Sequence, residues 1–337
     1  MKAIVCGMPG QLSLEDRPEP RRAPGEVLIR IRRAGICGTD YHIFQGAHPY
    51  LEYPRVMGHE LSAEVLDAPE SLGLRPGQRV IVNPYLSCGT CIACRNGKPN
   101  CCTRIAVLGV HRDGGMCECI SVPEGNLYPA DELTLDEAAS IEFLAIGAHG
   151  VGRSGIKTGT RALVTGAGPI GLGVAIFAGL AGGAVTMMDR DPERIALAGE
   201  IAGVGASIVA GQHAAEAVAE ATGGDGFDVV IDATGNRASM EDGFGYVAHG
   251  GTYVLVSVVR EDIAFADAEF HKREMTLLGS RNALKEDFER VVAAIRAGQV
   301  SAAKLITHRT TLADAVKDLP RWGTHKQGLV KAMIEVS

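Results

Sequence analysis

The densest group of reactive side chains is a cysteine run with the spacing C-x2-C-x2-C-x7-C, formed by Cys88, Cys91, Cys94 and Cys102. Four thiolates on one short loop complete the tetrahedral coordination of zinc and leave no position open, which is typical of a structural site. Such a loop has little core of its own, so metal binding would supply much of its folding free energy. Cys101 is an alternative fourth ligand. A DNA-reading zinc finger is the competing interpretation, but the loop lacks the histidine pair and the basic recognition helix of such fingers.

A second set of candidate ligands is dispersed over the motifs GICGTDYH, GHE and SIEFLAIGAHG. Its members offer thiolate, imidazole, carboxylate or hydroxyl groups: Cys37, Thr39, Asp40, His42, His59, Glu60 and Glu142. One thiolate, one imidazole and one or two carboxylates can bind zinc and still leave a position for water or substrate. Taken singly, each residue could equally be a buried cysteine, a core histidine or a solvated carboxylate. Structural roles are expected for His48, His149, His249 and His308.

The sequence GAGPIG gives Gly166, Gly168 and Gly171 the G-x-G-x-x-G spacing, with Pro169 and Ile170 between them. The motif directly follows the apolar strand ALVT and opens a helix, which is the context that makes it specific for a dinucleotide. The first glycine permits a tight turn, the second lets a pyrophosphate approach the backbone, and the third lets helix pack on strand. The helix N-terminus would then face the anion. A glycine-rich structural turn is the alternative.

An aspartate at the end of the next predicted strand indicates which dinucleotide is bound. Asp189 lies about twenty residues beyond the glycines, where an acidic side chain accepts hydrogen bonds from the ribose hydroxyls. A carboxylate there repels a 2′-phosphate, so NAD is favoured over NADP. Arg190 weakens this preference, because an arginine could pair with the phosphate. The joint occurrence with this fingerprint raises Cys37, His59 and Glu60 above their structural alternatives.

The bulk composition excludes several classes of protein. At 337 residues the chain is too long for one ordinary core, and two domains are expected. Its 46% hydrophobic and 22% charged residues are typical of a soluble globular protein. The formal charge of −7 argues against nucleic-acid or anionic-membrane partners, since both require a basic face. Nine cysteines without an export signal predict a reducing, cytoplasmic location.

The strand and helix signals change character near Leu133. Before it, short strand patterns separated by glycine, proline and asparagine predict an all-β barrel or sandwich. After it, a helix opened by the capping box of Thr134 and Glu137 precedes alternating strands and helices, which predict a doubly wound parallel sheet. The uncharged run 162–188 is divided by glycine and proline into strand, turn, helix and strand, so it is not a membrane span. The tail after Asn282 is too small to stand alone and is predicted to pack back on the first module.

Taken in order along nearly the whole chain, these motifs resemble the zinc-dependent medium-chain dehydrogenase/reductase family, which includes alcohol, sorbitol and threonine dehydrogenases. The resemblance implies an α/β protein with a GroES-like β-barrel catalytic domain over 1–147, whose zinc lobe spans 86–103. A Rossmann NAD-binding domain of doubly wound parallel sheet would follow over 148–284, and the segment 285–337 would complete the catalytic domain. The family's lobe uses the cysteine at x7, which favours Cys102 over Cys101.

The resemblance also implies two zinc ions, one structural and one catalytic. Cys37 and His59 would bind the catalytic zinc. Glu60 and Glu142 would bind this zinc or hydrogen-bond its water, as in the sorbitol-type branch, whereas classical alcohol dehydrogenases have cysteine where Glu142 stands. Asp40 would orient His59.

The remaining roles implied by the resemblance concern the proton and the cofactor. Thr39 and His42 match the family's proton relay. The implied cofactor contacts are Gly166, Gly168, Pro169, Ile170, Gly171, Asp189, Arg190, Ser257 and Arg281.

Three further stretches, GVHRDGG, EFHKRE and GSRNA, are similar to the group of L-galactonate 5-dehydrogenases and their starvation-sensing relatives. This similarity implies oxidation of a secondary hydroxyl of a polyol or sugar acid to a ketone. His111, Arg112 and Arg281 are candidate partners for the substrate carboxylate. Phe143 departs from the proline of many polyol-type relatives and would reshape the pocket wall.

The implied partners are a small alcohol, polyol or sugar acid and further copies of the chain in a dimer or tetramer. Two alternatives remain open: a non-catalytic regulatory or binding protein on the same frame, and a sorbitol- or threonine-type dehydrogenase with another substrate. A zinc-free quinone reductase of the same superfamily is disfavoured by both sets of metal ligands.

Overall fold

The computed structural model of the protein describes residues 1–47 and 52–336. His48 lies outside the described residues. The chain divides into two compact units. The first unit comprises Met1–Glu142 and Val292–Ser337, and the second unit comprises Phe143–Val291.

In chain order, the strands of the described residues are β1 Lys2–Met8, β2 Gln11–Asp16, β3 Glu26–Ile36, β4 Arg55–Val56, β5 Glu60–Asp67, β6 Arg79–Val82, β7 Tyr85–Leu86, β8 Ala106–Val107, β9 Cys119–Pro123, β10 Leu127–Pro129, β11 Arg161–Thr165, β12 Ala184–Asp189, β13 Ala206–Val209, β14 Phe227–Asp232, β15 Val247–Leu255, β16 Thr276–Gly279, β17 Ile306–Thr311 and β18 Lys331–Glu335. The helices are α1 Gly38–Phe44, α2 Ile92–Arg95, α3 Leu135–Ser154, α4 Pro169–Leu180, α5 Pro192–Ala202, α6 Ala214–Thr222, α7 Arg237–Asp242, α8 Asp267–Lys272, α9 Lys285–Arg296, α10 Ala302–Leu305 and α11 Ala315–Thr324.

The first unit is built mainly from antiparallel strands, as the short strand patterns predicted. Its large sheet has the order β10-β6-β5-β3-β18-β17, and β9 also pairs with β3. Alternate residues of β3 point into the core, where Val27, Ile29 and Ile31 are fully buried. Two strands of the C-terminal tail, β17 and β18, join this sheet, and β18 pairs directly with β3.

The second unit holds a parallel sheet of six strands in the order β13-β12-β11-β14-β15-β16. Counted from β11, this is the 3-2-1-4-5-6 order of a dinucleotide-binding sheet, with its topological switch point between β11 and β14. The central strands are buried on both faces, so their sequences are almost continuously apolar. This sheet confirms the predicted α/β class.

The long helix α3 begins at the predicted capping box. Oγ1 of Thr134 accepts a hydrogen bond from the Glu137 N–H at 3.2 Å, and the Glu137 carboxylate accepts from the Thr134 N–H at 2.7 Å. These two bonds satisfy N–H groups that the first helical turn leaves without partners.

The uncharged run 162–188 forms β11, α4 and nearly all of β12, as predicted. No helix within 1–47 and 52–336 combines the length and the apolar character needed to cross a membrane.

Candidate metal centres and cofactor site

Two groups of metal-ligating side chains occur among the described residues. The first, which we call the buried centre, brings Cys37, His59 and Glu60 together, with their ligand atoms within 4.8 Å of one another. Cys37 follows β3 and precedes α1, whereas Glu60 opens β5. Because β3 and β5 are antiparallel neighbours, with Gly35 opposite Glu60, two motifs distant in sequence meet at one end of the strand pair.

Glu60 is held by a lysine that the sequence analysis did not identify. Nζ of Lys331 lies 2.6 and 2.8 Å from the two carboxylate oxygens of Glu60 and 3.3 Å from the Ile36 carbonyl oxygen. A Cβ on Gly35 would lie 2.2 Å from Oε2 of Glu60. The carboxylate can therefore lie across β3 and reach β18 because residue 35 has no side chain.

Glu142 lies beside this group with a different partner. The hydroxyl of Tyr85 donates a hydrogen bond to Oε1 of Glu142. Oε2 of Glu142 is buried and has no hydrogen-bond partner within the described part of the chain. Burial raises the pKa of Glu142 to about 7. The two acids therefore differ: Lys331 neutralises Glu60, while Glu142 keeps one oxygen available.

The histidine of the buried centre faces sulfur on one side and a carboxylate on the other. Nδ1 of His59 lies 3.9 Å from Oδ1 of Asp40, whose other oxygen accepts from the Cys37 N–H at 2.8 Å. Burial alone would lower the pKa of His59, but Cys37, Asp40 and Glu142 outweigh it and raise that pKa well above its ordinary value. At 3.9 Å, Nδ1 of His59 and Oδ1 of Asp40 do not form a hydrogen bond, and neither has one elsewhere in the described part of the chain, so the orienting role of Asp40 stays a prediction.

The charges of the buried centre fit a divalent cation. Asp40, Glu60 and Glu142 are all buried, together with the Cys37 sulfur at their edge, and Lys331 is the one buried lysine or arginine among the described residues. Buried charges are stable only when paired or bound to metal. Without metal, Lys331 and a protonated His59 supply the positive charge of the cluster, and a zinc ion bound by Cys37 and His59 would take the place of that proton.

The two residues of the predicted proton relay lie on α1. Oγ1 of Thr39 is 3.8 Å from Sγ of Cys37, and Thr39 is half-buried. His42 lies three residues later, on the same helical face, and is exposed. The pair therefore runs from the edge of the buried centre to the surface.

The second group of ligands, the cysteine lobe, consists of Cys88, Cys91, Cys94 and Cys102. Sγ of Cys91 lies 3.5 Å from Sγ of Cys94 and 3.8 Å from Sγ of Cys102. Cys101 is exposed and outside the group, so the fourth member is Cys102, as the resemblance implied. This arrangement fits a closed, structural zinc site.

Backbone amides prepare the lobe for metal. N–H groups of Thr90 and Cys91 lower the pKa of the Cys88 thiol to about 5, and those of Cys94 and Thr103 lower that of Cys91 to about 6. Thiolates are the form of cysteine that binds zinc. Two of the four ligands are therefore ready for the metal at neutral pH.

The predicted dinucleotide turn lies at the carboxyl edge of the parallel sheet. Gly166 follows β11 with φ +95°, and a Cβ on Gly171 would lie 1.7 Å from the Gly166 carbonyl oxygen. Both positions thus require glycine for the fold of the turn itself. At Gly168, the N-cap of α4, the nearest atom to an added Cβ is Nη1 of Arg194 at 4.0 Å. This open space at a helix N-terminus fits a pyrophosphate.

Asp189 is fixed by backbone amides at the end of β12. Its Oδ2 accepts from the Ala167 N–H at 2.7 Å and its Oδ1 from the Asp191 N–H at 2.9 Å. Pro169 and Ile170 form the first turn of α4, and Arg190 is exposed. The carboxylate therefore closes onto the glycine turn in an orientation set by the protein.

The other predicted contacts fall into two places. Ser257 follows β15, and exposed Arg281 follows β16, at the same edge of the sheet as the glycine turn. In the first unit, Nδ1 of His111 accepts from the Val107 N–H at 3.1 Å, and Arg112 lies 3.9 Å from Glu26. His111 and Arg112 thus have local partners, and their substrate role stays a prediction.

Three residues near these sites were missed from sequence. Lys331 could have been found as a lysine within the apolar strand LVKAMIEV. Tyr85 carries no such signal, because its contact with Glu142 joins residues far apart in sequence. Arg194 lies five residues after Asp189 and shows no pattern beyond the first turn of a helix.

Comparison with known proteins agrees with both units. The family model "Alcohol dehydrogenase GroES-like domain" matches residues 23–132, and "Zinc-binding dehydrogenase" matches 169–297. L-galactonate-5-dehydrogenase of Escherichia coli K12 is 40% identical over 338 residues, covering 99% of this chain and 98% of the relative. The chain belongs to the zinc-type medium-chain alcohol dehydrogenase family.

Two solved structures are similar to 99% of this chain. The alcohol dehydrogenase RspB of Escherichia coli CFT073, in complex with NADH, has a TM-score of 0.93 at 31% identity and covers 99% of both chains. A putative zinc-binding dehydrogenase of Sinorhizobium meliloti 1021, bound to NADP, has a TM-score of 0.91 at 30% identity, covering 99% of this chain and 98% of that one. The GroES-like plus Rossmann fold, the dehydrogenase class and the zinc and nicotinamide cofactors of the family are thereby confirmed.

Proposed function

We propose that this zinc-type dehydrogenase oxidises a secondary alcohol of a polyol or sugar acid, such as L-galactonate, to the ketone with NAD. The observation that carries the proposal is the buried centre, where Cys37, His59 and Glu60 bring their ligand atoms within 4.8 Å of one another, with Glu142 close enough to raise the pKa of His59. The 40% identity to L-galactonate-5-dehydrogenase supports a sugar acid as the substrate class.

The catalytic zinc would be held by Cys37 and His59, with a carboxylate as the third protein ligand. Glu142 suits this role because its Oε2 lacks another partner among the described residues, whereas Lys331 holds both oxygens of Glu60. When bound, zinc supplies a Lewis acid that makes the hydroxyl of an alcohol more acidic.

Thr39 would take the hydroxyl proton, and His42 would pass it to bulk water. A threonine hydroxyl can accept one proton while donating its own, so it suits the inner end of a relay. His42 is exposed, so its imidazole can exchange a proton with bulk water at the outer end.

The cofactor would be NAD. The carboxylate of Asp189 is oriented by two backbone amides, and its remaining lone pairs would accept from the ribose hydroxyls. The negative charge disfavours a 2′-phosphate, despite exposed Arg190 next to it. The NADH found in RspB supports this choice, and the NADP of the Sinorhizobium protein makes it a point to test.

The test is a screen of NAD and NADP reduction over L-galactonate, other aldonates, polyols and simple secondary alcohols. We expect kcat/KM to be highest for an aldonate or polyol with NAD. Simple alcohols as the best substrates would contradict the substrate class. No reduction with any substrate by zinc-loaded protein would favour a non-catalytic binding protein.

A matched substitution tests the predicted carboxylate partner. Arg281→Met should raise KM for an aldonate more than KM for the corresponding uncharged polyol. His111→Gln and Arg112→Met provide the comparison, because these side chains have local partners in the first unit. Equal losses on aldonate and polyol in all three variants would remove the carboxylate contact from the proposal.

A further inference from the structure

Tyr85 joins the cysteine lobe to the buried centre. It lies on β7, three residues before Cys88, and β7 pairs with β8, which follows Cys102. The pair β7–β8, in which Tyr85 is opposite Val107, is therefore the stem from which the lobe projects. The hydroxyl of the same tyrosine donates to Glu142, which lies on α3.

The backbone of Tyr85 is tightly held. Its N–H donates to Oδ1 of Asn83 at 3.0 Å, and its carbonyl accepts from Nδ2 of Asn126 at 3.2 Å. The Asn83 N–H also donates to the Asn126 carbonyl at 2.8 Å. With the side chain 7% exposed, the phenol has little freedom to leave Glu142 while the stem keeps its position.

The bond leaves the two oxygens of Glu142 in different states. Oε1 accepts from Tyr85, whereas Oε2 is buried without a partner in the described part of the chain. A carboxylate fixed through one oxygen presents the other in a defined direction. Without the phenol, the carboxyl group could rotate and offer either oxygen.

We propose that Tyr85 is a positioning residue that transmits the order of the zinc-filled cysteine lobe to Glu142 in the buried centre. Zinc bound in the lobe would hold the stem β7–β8, the stem holds the phenol, and the phenol would fix Oε1 of Glu142 so that Oε2 is left for a metal bound by Cys37 and His59. This inference rests on the proposed function, since it assigns Glu142 to that metal.

The test uses protein whose buried centre carries cobalt(II) and whose lobe retains zinc. Tyr85→Phe removes one hydroxyl and keeps the ring, so the fold and the lobe zinc should persist. We expect the visible cobalt absorption to shift and kcat/KM to fall about 10- to 100-fold, the usual cost of losing a partner of a metal ligand. Tyr253→Phe is the matched control: its buried hydroxyl donates to the Met240 carbonyl at 2.9 Å in the second unit, and its spectrum should stay unchanged.

Two further variants separate the possible failures. Cys88→Ser, which disrupts the lobe, should shift the cobalt spectrum as Tyr85→Phe does, and the double variant should show no additional shift. An unchanged spectrum in Tyr85→Phe would overturn the inference, as would a shift in Cys88→Ser that adds fully to that of Tyr85→Phe. Should Cys88→Ser not fold, the Tyr85→Phe spectrum alone decides. Glu142→Gln tests the assignment of Glu142 on which the inference rests: if it leaves both spectrum and turnover intact, Glu142 is not at the metal and the inference fails, whereas the proposed oxidation is tested separately by the substrate screen.

Discussion

The cysteine lobe and the buried centre both present metal ligands, but they are assembled in opposite ways. The lobe takes four identical donors from one short loop, three of them partly exposed, and backbone amides of the same loop tune them. The buried centre takes unlike donors from the end of β3 and the start of β5, with Glu142 of α3 beside them and partners of the two acids on β7 and β18. The four thiolates of the lobe complete the coordination of one metal ion. In the buried centre, by contrast, the acids come from different elements and have different partners. Such a site can leave a coordination position open for water or substrate.

The two sites should also respond differently to mutation or loss of metal. The lobe can lose its metal and unfold locally, because few other contacts order a loop of this kind. The buried centre lies within the core sheet of the first unit, where β18, β3 and β5 meet. Changes there should alter turnover or leave a buried charge unpaired, without unfolding the lobe.

The largest effect is expected from Cys37→Ser. It removes the sulfur ligand of the buried centre while nearly keeping the size of the side chain. Since changing a partner of a metal ligand costs about 10- to 100-fold, changing the ligand should lower kcat/KM by more than about 100-fold. Steady-state kinetics measures the loss, and an unchanged melting temperature shows that the fold persists. Loss of folding with normal specific activity in the remaining folded protein would exchange the roles of the two sites.

The next largest effect is expected from Lys331→Met, which should lower the free energy of unfolding. Breaking a buried ion pair by removing one partner costs about 3–5 kcal/mol, here by leaving Glu60 uncompensated. Urea denaturation of zinc-depleted protein should show this loss, and added zinc should reduce it, because the metal can take over the neutralisation of Glu60. The double variant Lys331→Met/Glu60→Gln is the control and should recover part of the stability. An equal loss with and without zinc would mean that Glu60 does not face the metal.

Cys88→Ser should lower stability more than turnover, whereas Cys37→Ser should lower turnover more than stability. We expect a fall of several degrees in Tm, since about 1 kcal/mol corresponds to roughly 2–4 °C in a domain of this size. Backbone amides of the lobe should lose protection in hydrogen exchange, and turnover should fall less than in Cys37→Ser. Cys101→Ser is the matched control, because Cys101 is exposed and outside the ligand group. A larger effect of Cys101→Ser than of Cys88→Ser would contradict the assignment of the lobe ligands.

The smallest effect is expected from removing the ion pairs at the start of α3, the helix that carries Glu142. Asp136, at the start of α3, pairs with Arg33 at 2.9 Å and with Arg309. Partial burial would raise the pKa of Asp136, but Arg309 and Arg33 outweigh it and lower that pKa. The stabilisation is therefore present above the unfolded pKa of about 3.9 and is lost as the pH falls through the lower folded value. Asp136→Asn should cost about 1 kcal/mol at pH 7 and progressively less below pH 4 in urea titrations. A pH-independent difference would exclude the ion pairs as its cause.

The sequence predicted the lobe more completely than the buried centre. The spacing of Cys88, Cys91 and Cys94 predicts a metal site by itself, because all the donors lie on one loop. Cys37, His59 and Glu60 were found through motifs and resemblance, and their proximity follows from the pairing of β3 with β5. The predicted strands, the capped helix α3 and the parallel sheet likewise follow local patterns that the structure retains.

What the sequence did not predict depends on contacts between distant elements. Lys331 reaches Glu60 only because β18 adds to β3 and because Gly35 leaves space, and neither condition is visible in a local pattern. The hydrogen bond from Tyr85 to Glu142 likewise joins a strand of the lobe stem to a helix, across a sequence separation of 57 residues. Such contacts are set by tertiary packing, which a single sequence does not report.

The presence of two different metal centres is tested most directly by the zinc content per chain of the wild type and of Cys37→Ser, determined by elemental analysis after gel filtration. We expect two zinc ions in the wild type and one in Cys37→Ser, with the remaining zinc in the cysteine lobe and turnover abolished. One zinc per chain in a fully active wild type, or two retained in an inactive Cys37→Ser, would contradict the division into a structural and a reactive centre.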